Sequence, residues 1–341
     1  MNQDWTTFLA GQGLVADGSS FGDLAQELAA ACSGSVLAPL LDHGLIRASG
    51  PDAADFLHNL LTNDIKGLST SNARFAGMCT AKGRLLAVFL VWRDGDDFLL
   101  MVPREILPAI LKKLSMYVLR AKVKLTDASA ELNLVGFASV AVSPAPTLTD
   151  CPRHALASIP GGRAIRLDGQ RWLLALEPGK AIEAWQAYAE TAQAVGTATW
   201  QWLEIAAGQP RVVTATQEAF VPQMLNMELP AVGGVSFTKG CYPGQEIVAR
   251  TQYLGKVKRR SFRARLQSAI APGTHVYAPE TGEQHCGAIV SLAPSPEGGH
   301  ECLVCVQIGA QESGDVRVGS LSGERLEFLP LPYSIKEADA A

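Results

Sequence analysis

The chain has 341 residues, of which 48% are hydrophobic and 18% are charged, and its formal net charge is −4 at pH 7. At roughly 150 residues per domain, this length predicts two or three domains with substantial cores. The slight negative charge excludes a protein whose whole surface binds nucleic acid, so any basic function must be local.

The sequence also bears on the compartment in which the chain works. Met1–Gly13 has no basic stretch followed by an apolar core, so we expect no secretory signal. The longest apolar run, Leu85–Trp92, is far too short to span a bilayer, and we expect no membrane partner. Seven cysteines without a framework spacing favour free thiols in a reducing cytoplasm.

The first half of the chain alternates helical and strand-like patterns. Pro51 suits the first position of a helix, and Asp94-Gly95 between two apolar runs indicates a hairpin. In chain order we predict helices at Phe21–Ala31 and Pro51–Asn63, strands at Arg84–Trp92 and Asp97–Val102, a helix at Arg104–Leu119, and strands at Lys122–Thr126 and Glu131–Val142.

The second half begins with a proline-rich segment, Pro144–Pro160, which we interpret as a linker or long loop. A second strand–strand–helix unit then follows: a hairpin around Asp168-Gly169 (strands Ala164–Leu167 and Arg171–Leu176) and a helix at Lys180–Ala194. After Arg260, short apolar runs separated by Gly and Pro turns predict a small β-barrel or sandwich.

These elements define an α+β fold class. The predicted divisions are a leader (residues 1–35), a first α+β domain (36–145), a second α+β domain (146–260), and a C-terminal β-barrel (261–335). Interleaving of the first two domains is left open.

Chemistry concentrates in "GGVSFTKGCYPGQEIVARTQYLGKVKRR", from Gly233 to Arg260. Pro243 predicts a helix that runs to Tyr253, with Cys241 just before its N-terminus. A helix N-terminus and the nearby Lys239 both favour a negatively charged sulfur, and thiols react as thiolates. The alternative is a buried structural cysteine beside a glycine-rich turn.

The end of this segment is basic and has no acidic residue after Arg250. A solvated basic face is the plain interpretation, and a local RNA contact is the functional one. The residues predicted for that contact are Lys256, Lys258, Arg259 and Arg260.

"KGCYPGQE" followed by Arg250 resembles the signature of the YgfZ proteins, folate-binding relatives of the aminomethyltransferase (T-protein) of the glycine cleavage system. "WQWLEIAAGQPRVV", "FVPQMLNMELPAVGGVSF" and the tail "PLPYS" are similar to the family as well, so that the resemblance spans roughly Leu40–Ser334. It implies a three-domain, ring-like architecture with two ferredoxin-like α/β layers and a small β-barrel.

The resemblance further implies a cytoplasmic accessory protein that binds tetrahydrofolate or a one-carbon derivative and supports iron–sulfur enzymes. One such enzyme class is a radical methylthiotransferase that modifies tRNA. The family's essential cysteine maps onto Cys241, and a tryptophan that holds folate maps onto Trp200. The position of a second family tryptophan is occupied by His43.

True aminomethyltransferases carry a catalytic aspartate in the stretch that matches Ala81–Phe89, which here contains no acid. Leucine can neither stabilise a cation nor take a proton, so aminomethyl transfer is not expected. Whether the chain is an enzyme is left open, and the alternative function is a folate-dependent one-carbon transferase that uses Cys241.

Roles follow for the remaining candidates. Lys239 and Arg250 would hold the thiolate or the glutamate tail of folate, and Glu246 would cap the loop or move protons. Gln223 and Asn226 offer amide donors and acceptors to the edge of a pterin. Tyr242 and Gln245 complete the predicted folate-binding set.

Other constellations are weaker. Cys302 and Cys305 have CxxC spacing, but their run alternates like a strand, on which positions i and i+3 face opposite sides; we predict no metal site. Asp42 and His43 are adjacent, and adjacent residues rarely face each other. His58 is predicted to be solvated on the polar face of its helix.

Overall fold

The computed structural model describes residues 3–140, 143–144, 150–253, 255 and 257–335. Within them the α-helices are α1 (Gln3–Gly11), α2 (Leu24–Ser33), α3 (Ala53–Leu60), α4 (Leu107–Met116), α5 (Ala181–Ala189), α6 (Thr197–Ala206), α7 (Gln245–Tyr253) and α8 (Ile308–Ser313). None of these helices has the length and apolar character needed to cross a membrane.

Strands alternate with the helices in the first part of the chain and follow one another directly near its end. In chain order they are β1 (Ser35–Pro39), β2 (His43–Ser49), β3 (Ala73–Cys79), β4 (Leu85–Asp94), β5 (Asp97–Pro103), β6 (Lys124–Asp127), β7 (Asn133–Ser139), β8 (Leu156–Ile159), β9 (Gly162–Arg166), β10 (Arg171–Leu176), β11 (Gln193–Ala194), β12 (Arg259–Leu266), β13 (His275–Tyr277), β14 (Gly287–Pro294), β15 (His300–Gln307), β16 (Arg317–Val318) and β17 (Glu327–Leu329).

The described strands form three sheets, with the orders β11-β1-β7-β10-β9-β8, β3-β4-β5-β2-β6 and β16-β13-β14-β15-β12-β17. The chain divides into two compact units. Unit 1 comprises Met1–Ala53, Gly67–Arg74 and Leu90–Trp200, and unit 2 comprises Ala54–Lys66, Phe75–Phe89 and Gln201–Ala341. The division into three domains remains a prediction.

In unit 1, helices α1 and α5 lie against one sheet. Trp5 of α1 and Trp185 of α5 meet edge to face, with ring centroids 5.4 Å apart. They share a core with Phe137 and Trp172 of neighbouring strands, whose rings lie 5.9 Å apart. Burial of several large aromatic side chains supplies much of the free energy that holds these layers together.

In unit 2, the last sheet is curled. The segment before β17 is joined to β16 by hydrogen bonds from Val318 N to Glu324 O (2.9 Å) and from Leu326 N to Val316 O (2.8 Å). Since β16 and β17 are the first and last strands in the order of this sheet, these bonds bring its two ends together. Its inner face is apolar and includes Val276, Ile289 and Val304. The α+β class is therefore confirmed, and the strands predicted to form a small β-barrel or sandwich form one curled sheet.

Both predicted hairpins are confirmed. Asp94 pairs with Asp97 across the first turn. In the second, Asp168 Oδ1 accepts hydrogen bonds from the backbone N–H groups of Gln170 and Arg171, both at 2.9 Å. These turns are specified by two or three local residues, which is why sequence alone locates them.

The structure differs from the predicted elements in several places. The predicted helix at Lys180–Ala194 ends at Ala189, and Gln193–Ala194 is a strand. The predicted linker Pro144–Pro160 contains strand β8, although its residue Pro146 lies outside the described residues. Helices α1, α6 and α8 were not predicted, although Trp5, Phe8 and Leu9 of α1 have helical spacing.

Candidate functional site

Cys241 lies in an irregular loop of unit 2 that ends at α7, and its side chain is exposed. Helix α7 begins at Gln245, so a Tyr-Pro-Gly turn separates the thiol from the helix. By contrast, Cys79, Cys286 and Cys305 are buried. Burial raises the pKa of Cys79 and Cys305 to about 12 and that of Cys286 to about 11. Among these sulfurs, Cys241 alone is accessible to a reagent.

Lys239 anchors the loop. Its Nζ donates hydrogen bonds to the carbonyl oxygens of Leu61 (2.7 Å) and His58, at the C-terminal end of α3. It also lies 4.9 Å from the centroid of the Tyr242 ring. Burial lowers the pKa of Lys239 to about 8, against the opposing charges of Asp64 and Cys241. Lys239 therefore fixes the backbone and places a positive charge next to the thiol.

His58 lies against the same loop and is only 9% exposed, so the prediction that it is solvated was wrong. Its Nδ1 is 3.2 Å from Asp64 Oδ1, while a Cβ atom at Gly240 would lie 3.8 Å from its Nε2. Burial lowers the pKa of His58, which favours a neutral imidazole at pH 7. A neutral base beside the residue preceding Cys241 is a feature that sequence reasoning missed.

Glycines let a second turn approach the loop closely. A Cβ at Gly244, whose φ is +82°, would lie 2.4 Å from the carbonyl oxygen of Thr80 and 2.6 Å from Gly83. The turn between β3 and β4 therefore packs directly on the Tyr-Pro-Gly segment. Only glycine permits this contact, because any side chain would overlap the Thr80 carbonyl.

The other candidates on this segment differ in exposure. Tyr242 is buried, and burial raises the pKa of its phenol. Gln245 is half-buried in the first turn of α7, whereas Glu246 and Arg250 are exposed on that helix. The exposed side chains of Glu246 and Arg250 can reach a ligand in solution without a rearrangement of the core.

Gln223 and Asn226 are both fully buried. Gln223 Nε2 donates to Val248 O at 2.7 Å, and Asn226 Nδ2 donates to Ser261 O at 2.8 Å. Their acceptor oxygens, Gln223 Oε1 and Asn226 Oδ1, have no hydrogen-bond partner among the described residues. Buried acceptors of this kind are costly unless an N–H group reaches them, so they fit a ligand or water that donates.

Arg260 contradicts its predicted role in a tRNA contact. Its side chain is 2% exposed and pairs with Glu228, also 2% exposed, and it donates to Gln223 O at 3.2 Å. Arg259 is half-buried, Lys258 is exposed, and the fourth predicted contact, Lys256, lies outside the described residues. Arg260 therefore does not contribute to a basic face at this segment, because it is an internal structural group.

Trp200 and His43 lie in unit 1. Trp200 is 1% exposed, and its indole covers Gly136 so closely that a Cβ there would lie 2.5 Å from the ring. His43 is 5% exposed, and its Nδ1 is 2.9 Å from Asp42 Oδ1. Contrary to expectation, these two adjacent side chains do face each other.

Glu204 was missed by the sequence reasoning. It is 5% exposed on α6, with Arg211 Nη1 at 3.5 Å from its Oε2 and Gln209 Nε2 at 3.5 Å from its Oε1. A carboxylate within the largely apolar "WQWLEIA" was the available signal. Among the described residues, no group of His, Cys, Asp and Glu side chains is arranged to hold a metal ion.

Comparison with known proteins identifies relatives over nearly the whole chain. The GCVT N-terminal domain matches residues 17–158. A "tRNA-modifying protein YgfZ" of Vibrio vulnificus (strain YJ016) is 34% identical over 311 residues, covering 87% of this chain and 92% of the relative. The protein of the same description from Klebsiella pneumoniae (strain 342) is 29% identical, covering 89% and 94% of the two chains.

A solved structure shares the fold. The glycine cleavage system aminomethyltransferase T from Bartonella henselae has a TM-score of 0.70 and 16% sequence identity, with 98% of each chain covered. This likeness shows an α+β fold of the T-protein type.

Proposed function

Because the chain belongs to the YgfZ family, we propose that it is a folate-binding accessory protein for tRNA modification, with Cys241 as its reactive thiol. The observation that carries this proposal is the exposed thiol on a loop fixed by Lys239. Exposure gives a partner access to the sulfur, and the half-buried Lys239 places a positive charge near it. Cytoplasmic location and support of iron–sulfur enzymes, such as a radical methylthiotransferase, are part of the proposal.

Tetrahydrofolate or a one-carbon derivative is the proposed cofactor. Its pterin carries N–H donors, and the unpartnered acceptors Gln223 Oε1 and Asn226 Oδ1 fit such donors. Arg250 would pair with the glutamate tail, while Trp200, His43, Tyr242 and Gln245 remain predicted folate contacts. When bound, a one-carbon folate would supply a carbon unit.

Within this proposal, the residues of the chain have separate tasks. Lys239 holds a positive charge near Cys241, and the His58–Asp64 pair lies against Gly240, the residue that precedes it. Glu246 is exposed in the first turn of α7, where a carboxylate stabilises the helix and can exchange protons with solvent.

The rival function, a folate-dependent one-carbon transferase, lacks the carboxylate that the T-protein type of reaction uses. Ala81–Phe89 contains none, and Leu85 and Leu86 are buried there. Turnover of methylene- or methyl-folate by the purified protein, lost in Cys241→Ala, would favour the transferase instead.

Calorimetric titration with tetrahydrofolate tests the cofactor. Saturable binding is expected for the wild-type chain and for Trp202→Phe, with weaker binding for Trp200→Phe. Equal binding by the two variants would exclude the role of Trp200, and absence of binding by the folded wild-type protein would refute the proposed cofactor.

A separate titration tests the thiol. We expect iodoacetamide to modify Cys241 faster than the other exposed cysteine, Cys32, at pH 7. Equal rates at the two positions, measured by peptide mass spectrometry, would refute the special reactivity of Cys241.

A further inference from the structure

Positive charge is concentrated in a segment that the function above does not use. Between Glu105 and Asp127 the chain carries five basic residues and no acidic one, although its net charge is −4. We call this segment, from Lys112 to Lys124, the Lys112–Lys124 surface. Its basic residues are Lys112, Lys113, Arg120, Lys122 and Lys124.

Helix α4 begins this surface. It buries Leu107, Ile110 and Leu114, so its apolar face is already covered by the protein. Lys112 on the opposite side is exposed, and Lys113 is half-buried. The cations of the helix therefore belong to an outer face rather than to the core.

A tight turn after the helix extends the surface. Ala121 N donates to Val118 O at 2.7 Å, which places Leu119 and Arg120 at the tip. Leu119 is 89% exposed and has a φ of 41°, an uncommon conformation for a residue with a branched side chain. Such a turn presents its side chains to solvent. Packing within the protein does not explain the exposure of Leu119.

The backbone after the turn is fixed. Lys122 N donates to Asp52 Oδ2 at 2.7 Å, and Lys124 pairs with Ser49 at the start of edge strand β6. The acids at the margin are engaged with backbone groups: Asp52 as just described, and Asp127 through Ser129 N at 2.9 Å. Among the residues that the structure describes, none of the five cations takes part in an ion pair.

Three large side chains are exposed among these cations. Met116 is 70% exposed, Tyr117 42% and Leu119 89%. Unneutralised cations beside an exposed aromatic ring are the combination that binds single-stranded nucleic acid, since phosphates meet the cations and an unpaired base stacks on the ring. An interfacial membrane helix would instead need a free apolar face, which α4 buries.

We propose that the Lys112–Lys124 surface binds RNA, with its cations on phosphates and Tyr117 stacked on an unpaired base. The choice of RNA over another polyanion rests on the proposed role in tRNA modification. This surface replaces the segment around Arg260, whose guanidinium is buried.

Fluorescence anisotropy with an unmodified tRNA transcript tests the proposal. The double variant Lys112→Gln/Lys122→Gln should bind about tenfold more weakly near physiological salt and lower the slope of log K against log salt by about 0.7 per cation removed. The matched control, Lys180→Gln/Lys258→Gln, removes two exposed lysines elsewhere and should bind like the wild type.

Tyr117 separates stacking from charge. Tyr117→Ala should weaken binding about fivefold or more without changing the salt slope, and Tyr117→Phe should retain binding. Equal weakening by the two lysine doubles, no binding by the wild type, or binding to anionic lipid vesicles but not to tRNA would each overturn the proposal.

Folate titration of the same variants keeps the two proposals apart. Lys112→Gln/Lys122→Gln should bind tetrahydrofolate as the wild type does. Loss of tRNA binding with folate binding intact supports the RNA surface. If the wild type binds tRNA through these lysines but does not bind folate, the proposed cofactor fails while the RNA surface stands.

Discussion

Removal of the Arg260 guanidinium should lower the stability of unit 2, because this group lies in the interior rather than on a ligand-binding surface. Arg260 and Glu228 form an ion pair in which each side chain is 2% exposed, and Arg260 Nη1 also donates to Gln223 O at 3.2 Å. Arg260→Met leaves a carboxylate in the interior without its cation. Breaking a buried pair in this way costs about 3–5 kcal/mol, because the carboxylate stays desolvated after the guanidinium is removed.

Chemical unfolding in guanidinium chloride measures this cost. Arg260→Met is expected to lower the unfolding midpoint, and the double variant Arg260→Met/Glu228→Leu should recover most of the loss, since neither charge then remains inside. Lys258→Gln, which changes an exposed cation nearby, serves as the control and should change stability by less than about 0.5 kcal/mol. A normal midpoint for Arg260→Met, together with weaker tRNA binding, would refute the structural role of Arg260.

Three further perturbations have defined outcomes. Gly244→Ala should lower the free energy of unfolding by about 1–3 kcal/mol more than the control Gly95→Ala does. Both glycines have a positive φ, but only at Gly244 would a Cβ atom lie close to Thr80 O. Lys239→Met should slow iodoacetamide modification of Cys241 at pH 7 about two- to tenfold, and an unchanged rate would exclude its electrostatic role. The unfolding midpoint should fall as pH rises above 9, because buried thiols stay protonated in the folded chain while they ionise in the unfolded one. A midpoint that rises with pH would contradict the burial of these thiols. The thiols concerned, whose pKa burial raises from 9.0, are those of Cys79, Cys286, Cys302 and Cys305.

Local signals explain which parts of the fold the sequence could predict. The Asp-Gly hairpins and the helix after Pro243 depend on neighbouring residues, and all of them are present in the structure. Strand β8 was hidden because the prolines around it suggested a loop, although it pairs with β9 across the two-residue turn Pro160-Gly161. Such pairing overrides local propensity.

Contacts distant in sequence explain the errors at the candidate site. His58 was expected in solvent, yet the loop that includes Lys239 covers it from 181 positions away. Arg260 was assigned to a basic face, but its partner Glu228 lies 32 positions earlier. Neither partner can be found by helical or strand periodicity, which reports only which face of one element is apolar.

The contrast between these cations shows why counting charge along the sequence wrongly assigned Arg260 to an RNA contact. A run of basic residues predicts a polyanion site only if its members stay in solvent and lack acidic partners. Arg260 fails both conditions, and Lys239 is used on two backbone carbonyls. In the Lys112–Lys124 surface, four of the five cations are exposed, and among the described residues none of the five takes part in an ion pair. The positive potential available to a partner therefore lies where the fold leaves cations unneutralised, and tRNA binding should follow Lys112 and Lys122 rather than Lys258.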